Sequence, residues 1–214
     1  MNAAFPRLYA ILDTDFTGAL GLAPLAVLEA WLDAGILLVQ LRAKALPGGA
    51  FLELADQMQE RIAAANARLI INDRADVSRM AGAAGVHVGQ EDLPPDDVRR
   101  VLGPAPVVGL STHNLDQVER AIVSPVSYVA IGPVYETTTK GSTVDAAVSL
   151  DGVRRAASRT LAARLPLVAI GGITISRARE VLDAGASSVA VISDLFAREG
   201  ELVQRAREFV RALA

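Results

Sequence analysis

The chain of 214 residues has no cysteine, which excludes disulfides and thiolate metal sites and suits a cytoplasmic enzyme. Aromatic residues are scarce, 4% against 51% apolar overall, so the core must be built from Ala, Val, Leu and Ile. Such a core favours packed helices and buried parallel strands over an aromatic-lined sandwich. No apolar run approaches the roughly 20 residues needed to cross a bilayer, so no membrane partner is expected. The opening Met1-Asn2-Ala3-Ala4-Phe5-Pro6-Arg7 lacks both a basic stretch and a long apolar one, so no signal peptide is expected. Net charge is only −3, with acids and bases interspersed, which leaves no electrostatic footprint for nucleic acid.

What the chain does have is a repeated unit. Short β-branched runs alternate with segments of helical periodicity. The runs span residues 8–13, 37–42, 68–73, 85–90, 107–111, 128–132, 167–170 and 189–192. Helices are expected at 24–34, 49–65, between 75 and 84, from Pro94, from Asn114, and at 150–164, 176–184 and 201–213. Pro94-Pro95-Asp96-Asp97 opens its helix with proline and acids that suit the N-terminal dipole, and Asn114 is an N-cap. Runs without strict alternation suit strands covered on both faces. Eight such units, with no break in composition, predict an α/β fold, a (β/α)8 TIM barrel forming a single domain over residues 1–214. An open doubly wound sheet is the competing arrangement, weakened because no G-x-G-x-x-G follows the first strand.

In such a barrel the C-terminal strand ends share one mouth, where active sites lie. This chain puts its polar residues there: Asp13; Gln40, Arg42 and Lys44; Asn72 and Asp73; Gln90 and Asp92; Ser111, Thr112 and His113; Ser193 and Asp194. The strand starts are mostly apolar, Pro or Gly. Asp73 and Asp92 end neighbouring strands and would form a hard-oxygen site suited to Mg²⁺, completed by water and substrate phosphate. Each also suits a simpler role, capping the helix that follows. Gln40, Arg42 and Lys44 alternate and would face one side, bringing cations to a diphosphate. Residues 133–149 form the longest connection without regular pattern, and its Thr137-Thr138-Thr139-Lys140 run offers hydroxyls and a cation to a phosphate. Gly171-Gly172 after the seventh run and Ser193 after the eighth match the place where many barrels bind phosphate on backbone N–H groups. Two phosphate sites are therefore expected. Of the two histidines, His87 reads as a hydrogen-bonded interior residue, and His113 is near enough to the mouth to touch a ligand.

The motifs Q-L-R-A-K (40–44), I-N-D-R (71–74), V-H-V-G-Q-E-D-L (86–93), G-L-S-T-H (109–113), G-P-V-Y-E-T-T-T-K (132–140) and A-I-G-G-I (169–173) make the chain resemble the thiamine-phosphate synthases over nearly its whole length. The resemblance implies an enzyme with two small phosphorylated substrates. It would join 4-amino-2-methyl-5-(diphosphooxymethyl)pyrimidine to 4-methyl-5-(2-phosphooxyethyl)thiazole, releasing diphosphate by a dissociative, carbocation-like substitution. By that similarity Gln40, Leu41, Arg42, Ala43, Lys44, Asn72, Ser111 and Lys140 would meet the pyrimidine diphosphate. Thr137, Thr138, Thr139, Gly171, Gly172, Ile192 and Ser193 would hold the thiazole phosphate. Arg42, Ser111 and Lys140 would carry the catalysis, and Asp73 and Asp92 the Mg²⁺. The small continuation from Gly141 to Ser149, whose one charged residue is Asp145, departs from the more charged one expected of the family. Two rivals share the fold: a thiazole tautomerase, and a non-catalytic sensor of a phosphorylated metabolite. The outer helices of such a barrel also suit a homo-oligomer.

Overall fold

The first run, Leu8–Asp13, is buried at every position, and it forms β1. A computed structural model describes residues 5–136, 146–196 and 199–214, with the backbone alone at Glu199. In chain order the other strands are β2 (Leu38–Arg42), β3 (Arg68–Asn72), β4 (Gly85–Val88), β5 (Val107–Thr112), β6 (Tyr128–Ile131), β7 (Leu167–Ile170) and β8 (Ser188–Val191). All pair in parallel with their sequence neighbours, and β8 returns to β1 to close the barrel. The closed arrangement replaces the open-sheet alternative, because β1 carries partners on both edges.

Helices cover the outside: α1 (Thr14–Ala19), α2 (Pro24–Asp33), α3 (Gly48–Ala64), α4 (Ala75–Met80), α5 (Pro95–Leu102), α6 (Leu115–Ala121), α7 (Ser149–Ala162), α8 (Ile175–Asp183) and α9 (Leu202–Leu213). Short 3-10 turns stand at Ser193–Leu195 and Glu199–Glu201. Helix α3 buries Phe51, Ala55, Met58 and Ile62, and α9 buries Leu202, Ala206, Phe209 and Leu213. The spacing i, i+4, i+7, i+11 lays one stripe of each helix on the barrel. Among the described residues no helix is long and apolar enough to cross a membrane.

The sequence pattern missed α1, whose Thr and Gly are poor helix formers. Buried Asp13 makes that helix by accepting from the N–H groups of Asp15 and Phe16, at 3.0 and 3.1 Å. The expected strands 68–73 and 85–90 end early, at Asn72 and Val88. The fourth stops because Asp92 folds back and accepts from Gly89 N–H at 2.7 Å, turning the chain out of the sheet.

Two apolar layers result. Residues such as Leu12, Val39, Leu41 and Val86 face the helices, while Tyr9, Ile11, Leu38, Ile70, Tyr128 and Val168 fill the barrel. Phe5 packs against Tyr9 and Tyr128, with ring centroids 6.4 and 5.1 Å away, adding a third ring to the interior aromatic group. At Gly109 an added methyl would stand 2.1 Å from the Tyr128 ring, so glycine on β5 makes room for the tyrosine of β6.

Candidate active site

A cavity of about 1000 Å³ opens at the C-terminal strand ends. Arg42 and Lys44 line one part of it, Asp92, Ser111 and His113 another, and Gly171, Gly172, Ile192 and Ser193 the far side. The two expected phosphate sites are thus ends of one continuous cavity, large enough for two small ligands.

At one end, the Arg42 guanidinium is fixed by an ion pair with Asp13, the same carboxylate that caps α1. Lys44 Nζ is 2.9 Å from Asp73 Oδ2. Asp73 stands just past β3 in the left-handed backbone region, at φ 63°, and its N–H donates to His87 O at 2.8 Å. Non-glycine residues adopt that conformation uncommonly, and such strain collects at functional sites. Burial pushes the Asp73 carboxyl above the usual range; Lys44 pulls it back, while Asp92, within hydrogen-bonding reach, pushes it further up. The helix-capping alternative fails for both acids. Helix α4 is preceded by Arg74 and α5 by Pro94, with no side-chain cap on either. Two carboxylates forced together beside a cation make a charge arrangement that a divalent ion would relieve, so the pair fits Mg²⁺. No group of three or more candidate ligands is present among the described residues, so an ion held by this pair would need water or substrate to complete its shell.

Alternation along β2 sorts the Gln40–Lys44 run. Gln40 is buried in the interior one layer below Arg42, and its amide donates to Tyr9 Oη at 2.8 Å. Leu41 and Ala43 pack in the outer apolar layer instead. The expectation that they meet the diphosphate is corrected for their side chains, because neighbouring strand residues point to opposite faces. Asn72 is buried at the top of β3, level with His87 on β4. Thr137, Thr138, Thr139 and Lys140 lie outside the described residues.

At the other end, Gly171 and Gly172 have φ of 103° and 63°. A side chain on either would strike the segment after β6, at 2.5 Å from Pro133 or 2.9 Å from the Tyr135 side chain. Val134 N–H and Tyr135 N–H donate to Ile170 O and Gly171 O, which draws that segment against the glycines. The close approach that demands glycine therefore comes from the protein's own chain. Ser193 opens a 3-10 turn at the cavity wall. Its neighbour Asp194 accepts from Ile175 N–H at 2.7 Å and pairs with Arg205 at 2.7 Å, so this mouth acid fastens β8 to α8 and α9.

Sequence reasoning overlooked Arg177, which lines the cavity from the first turn of α8. Its guanidinium lies 4.5 Å from the Tyr135 ring centre and donates to Gly172 O at 3.2 Å. Tyr135 in turn donates to Glu180 at 2.6 Å, and burial together with that carboxylate pushes its phenol up to about 12. A cation one turn into the helix behind Gly-Gly was the available signal. His113 does reach the cavity, and its Nδ1–H donates to Gly132 O at 2.8 Å.

Comparison with known proteins agrees with this architecture. The family model described as thiamine monophosphate synthase matches residues 8–195. A thiamine-phosphate synthase of Koribacter versatilis is 45% identical over 97% of this chain and 96% of its own. One from Albidiferax ferrireducens is 39% identical over 97% and 93%. The solved thiamine phosphate pyrophosphorylase of Pyrococcus furiosus superposes with a TM-score of 0.82 at 28% identity, covering 97% of each chain. With a match that spans all eight strands of the barrel, the chain belongs to the thiamine monophosphate synthase family.

Proposed function

We infer that this protein is a thiamine-phosphate synthase, a transferase that joins the pyrimidine diphosphate to the thiazole phosphate and releases diphosphate. The observation that carries the reading is the single cavity with unlike ends. Arg42 and Lys44, backed by the Asp73/Asp92 pair, stand at one end, and the Gly171-Gly172 turn with Ser193 stands at the other. The first end suits a diphosphate. The second offers backbone N–H groups and a hydroxyl to a monophosphate.

The chemistry needs little from the protein beyond charge and placement. When the pyrimidine's C–O bond breaks, its electron pair leaves with diphosphate, and the aminopyrimidine ring stabilises the positive carbon. The thiazole nitrogen then supplies its lone pair to form the C–N bond. No proton moves in that exchange, so no general base is required, and none is assigned. Arg42, oriented by Asp13, and Lys44 neutralise the departing charge from fixed positions. Asp73 and Asp92 would hold Mg²⁺, which when bound adds positive charge at the diphosphate. The monophosphate end would orient the nucleophile, a proximity effect.

Supplying both substrates with Mg²⁺ and measuring diphosphate is the direct test. Release only when both are present supports the reading, whereas none would leave the tautomerase or the sensor. Lys140→Ala should lower turnover by roughly 10²-fold, the scale for losing a preorganised charge contact. Unchanged turnover at saturating substrate would remove Lys140 from the mechanism.

A further inference from the structure

At the monophosphate end, the residues expected to hold the ligand offer only neutral donors: the Gly171-Gly172 pair, Ile192, Ser193 and the threonines at 137–139. Among the described residues the N–H groups of Gly172 and Ser193 have no acceptor, so both stand ready for one. A phosphate monoester carries close to two negative charges at neutral pH, which neutral donors alone leave uncompensated.

Arg177 brings a cation to that end, and its contacts hold the cation in place. It is the third residue of α8, and its side chain lines the cavity. Its Nη1 donates to Gly172 O at 3.2 Å, which sets the guanidinium beside the glycine turn. The Tyr135 ring centre lies 4.5 Å from the guanidinium carbon, within cation–π range. Tyr135 is itself anchored, its N–H donating to Gly171 O at 3.1 Å and its hydroxyl to Glu180 Oε1 at 2.6 Å. The charge of Arg177 is also unspent. Glu180 stands three residues further along α8, where an ion pair with Arg177 would be ordinary, but it accepts from Tyr135 instead. Arg179 on the same helix and Arg205 on α9 are paired, with Asp183 at 3.3 Å and Asp194 at 2.7 Å. Arg177 has no carboxylate partner among the described residues. With one N–H committed to Gly172, its guanidinium keeps a fork of donors suited to phosphate oxygens.

We propose that Arg177 is a specificity-determining residue: its guanidinium, aimed by Tyr135 and Gly172, binds the monophosphate of the thiazole substrate and sets the preference for that ester over the unphosphorylated alcohol. The ligand's identity rests on the proposed function; the placement of the cation does not. Glu136 stands on the same wall, so removing Arg177 would leave an acid facing the dianion.

Steady-state kinetics at saturating pyrimidine diphosphate and Mg²⁺ compare the thiazole phosphate with its alcohol. Arg177→Ala should cut the ratio of their kcat/KM values about 10- to 100-fold, chiefly through a raised KM for the phosphate, the scale of one hydrogen bond between charged groups. An unchanged ratio would overturn the proposal. Equal losses on both thiazoles would overturn it too, because they mark a merely structural role. Arg177→Gln keeps a donor for Gly172 O without the charge and should lose the ratio as well, and it serves if the alanine variant folds poorly. Tyr135→Leu should lower the ratio less, and should add nothing in the Arg177→Ala background; additive losses would mean that the ring does not act through the guanidinium. Calorimetric titration with the thiazole phosphate alone reads the same contact without turnover. Arg177→Ala should weaken that binding by a similar factor, and equal affinity in wild type and variant would refute the contact. A wild-type protein that releases no diphosphate, yet binds the thiazole phosphate through Arg177, would defeat the proposed function and leave this inference standing.

Discussion

Asp73 shows how a residue at the candidate site carries a stability cost. Its carboxyl is raised by burial and by the neighbouring Asp92, against the pull of Lys44. A raised acid favours the protonated form in the folded state. Its contribution to stability is therefore fully present below the ordinary carboxylate value and is lost as pH rises through the raised one. Asp73→Asn should accordingly gain on the native protein as pH climbs from the acid range to neutrality, while activity falls. Thermal melts at several pH values check this, and a difference that stays constant would refute it. Asp92→Ala should raise the Mg²⁺ concentration needed for half-maximal activity, and an unaltered Mg²⁺ titration would defeat the metal assignment. Both acids were visible in the sequence because each follows a short apolar run. Their meeting at one edge was expected too, from neighbouring parallel strands, and the register Asn72 to His87 between β3 and β4 is what brings it about.

Elements are tied together by side chains whose partners lie far along the chain. Arg99 on α5 donates to the carbonyls of Pro104, Pro106 and Pro125 and to Ser127 Oγ. Burial lowers the basicity of its guanidinium, and the carbonyls around it take up its hydrogen bonds. This single residue staples the turns before β5 and β6, at the end of the barrel remote from the cavity. Arg99→Ala should lower stability by about 1–3 kcal/mol through unpaired carbonyls, with KM unchanged. Denaturant unfolding beside steady-state kinetics checks it; a weakened substrate affinity would contradict the separation. The element pattern itself was legible from period alone, as in the stripes of α3 and α9. Helix α1 was not, because its stability comes from the Asp13 cap rather than from its own residues.

Across the whole molecule, one barrel interior combines packing with hydrogen bonding. Gly109→Ala would drive a methyl to within 2.1 Å of the Tyr128 ring and 2.6 Å of His87, breaking packing and hydrogen bonding together. Overpacking of this kind costs roughly 1–3 kcal/mol or more, and the midpoint of unfolding should fall accordingly. An unchanged midpoint would mean that the interior yields easily. Strand order and the polar mouth followed from the sequence by itself, because buried runs and their abrupt polar ends are local properties of the chain. Only the tertiary structure decided that the two expected phosphate sites share one cavity, that Leu41 and Ala43 face outward, and that Arg177 reaches the wall. It also decided which way the glycines at 171 and 172 are needed, since the atoms crowding them belong to residues 133 and 135. The physical reason is the same in each case. Periodicity sets the face on which a residue lies, but closing eight strands into a ring sets what stands opposite it.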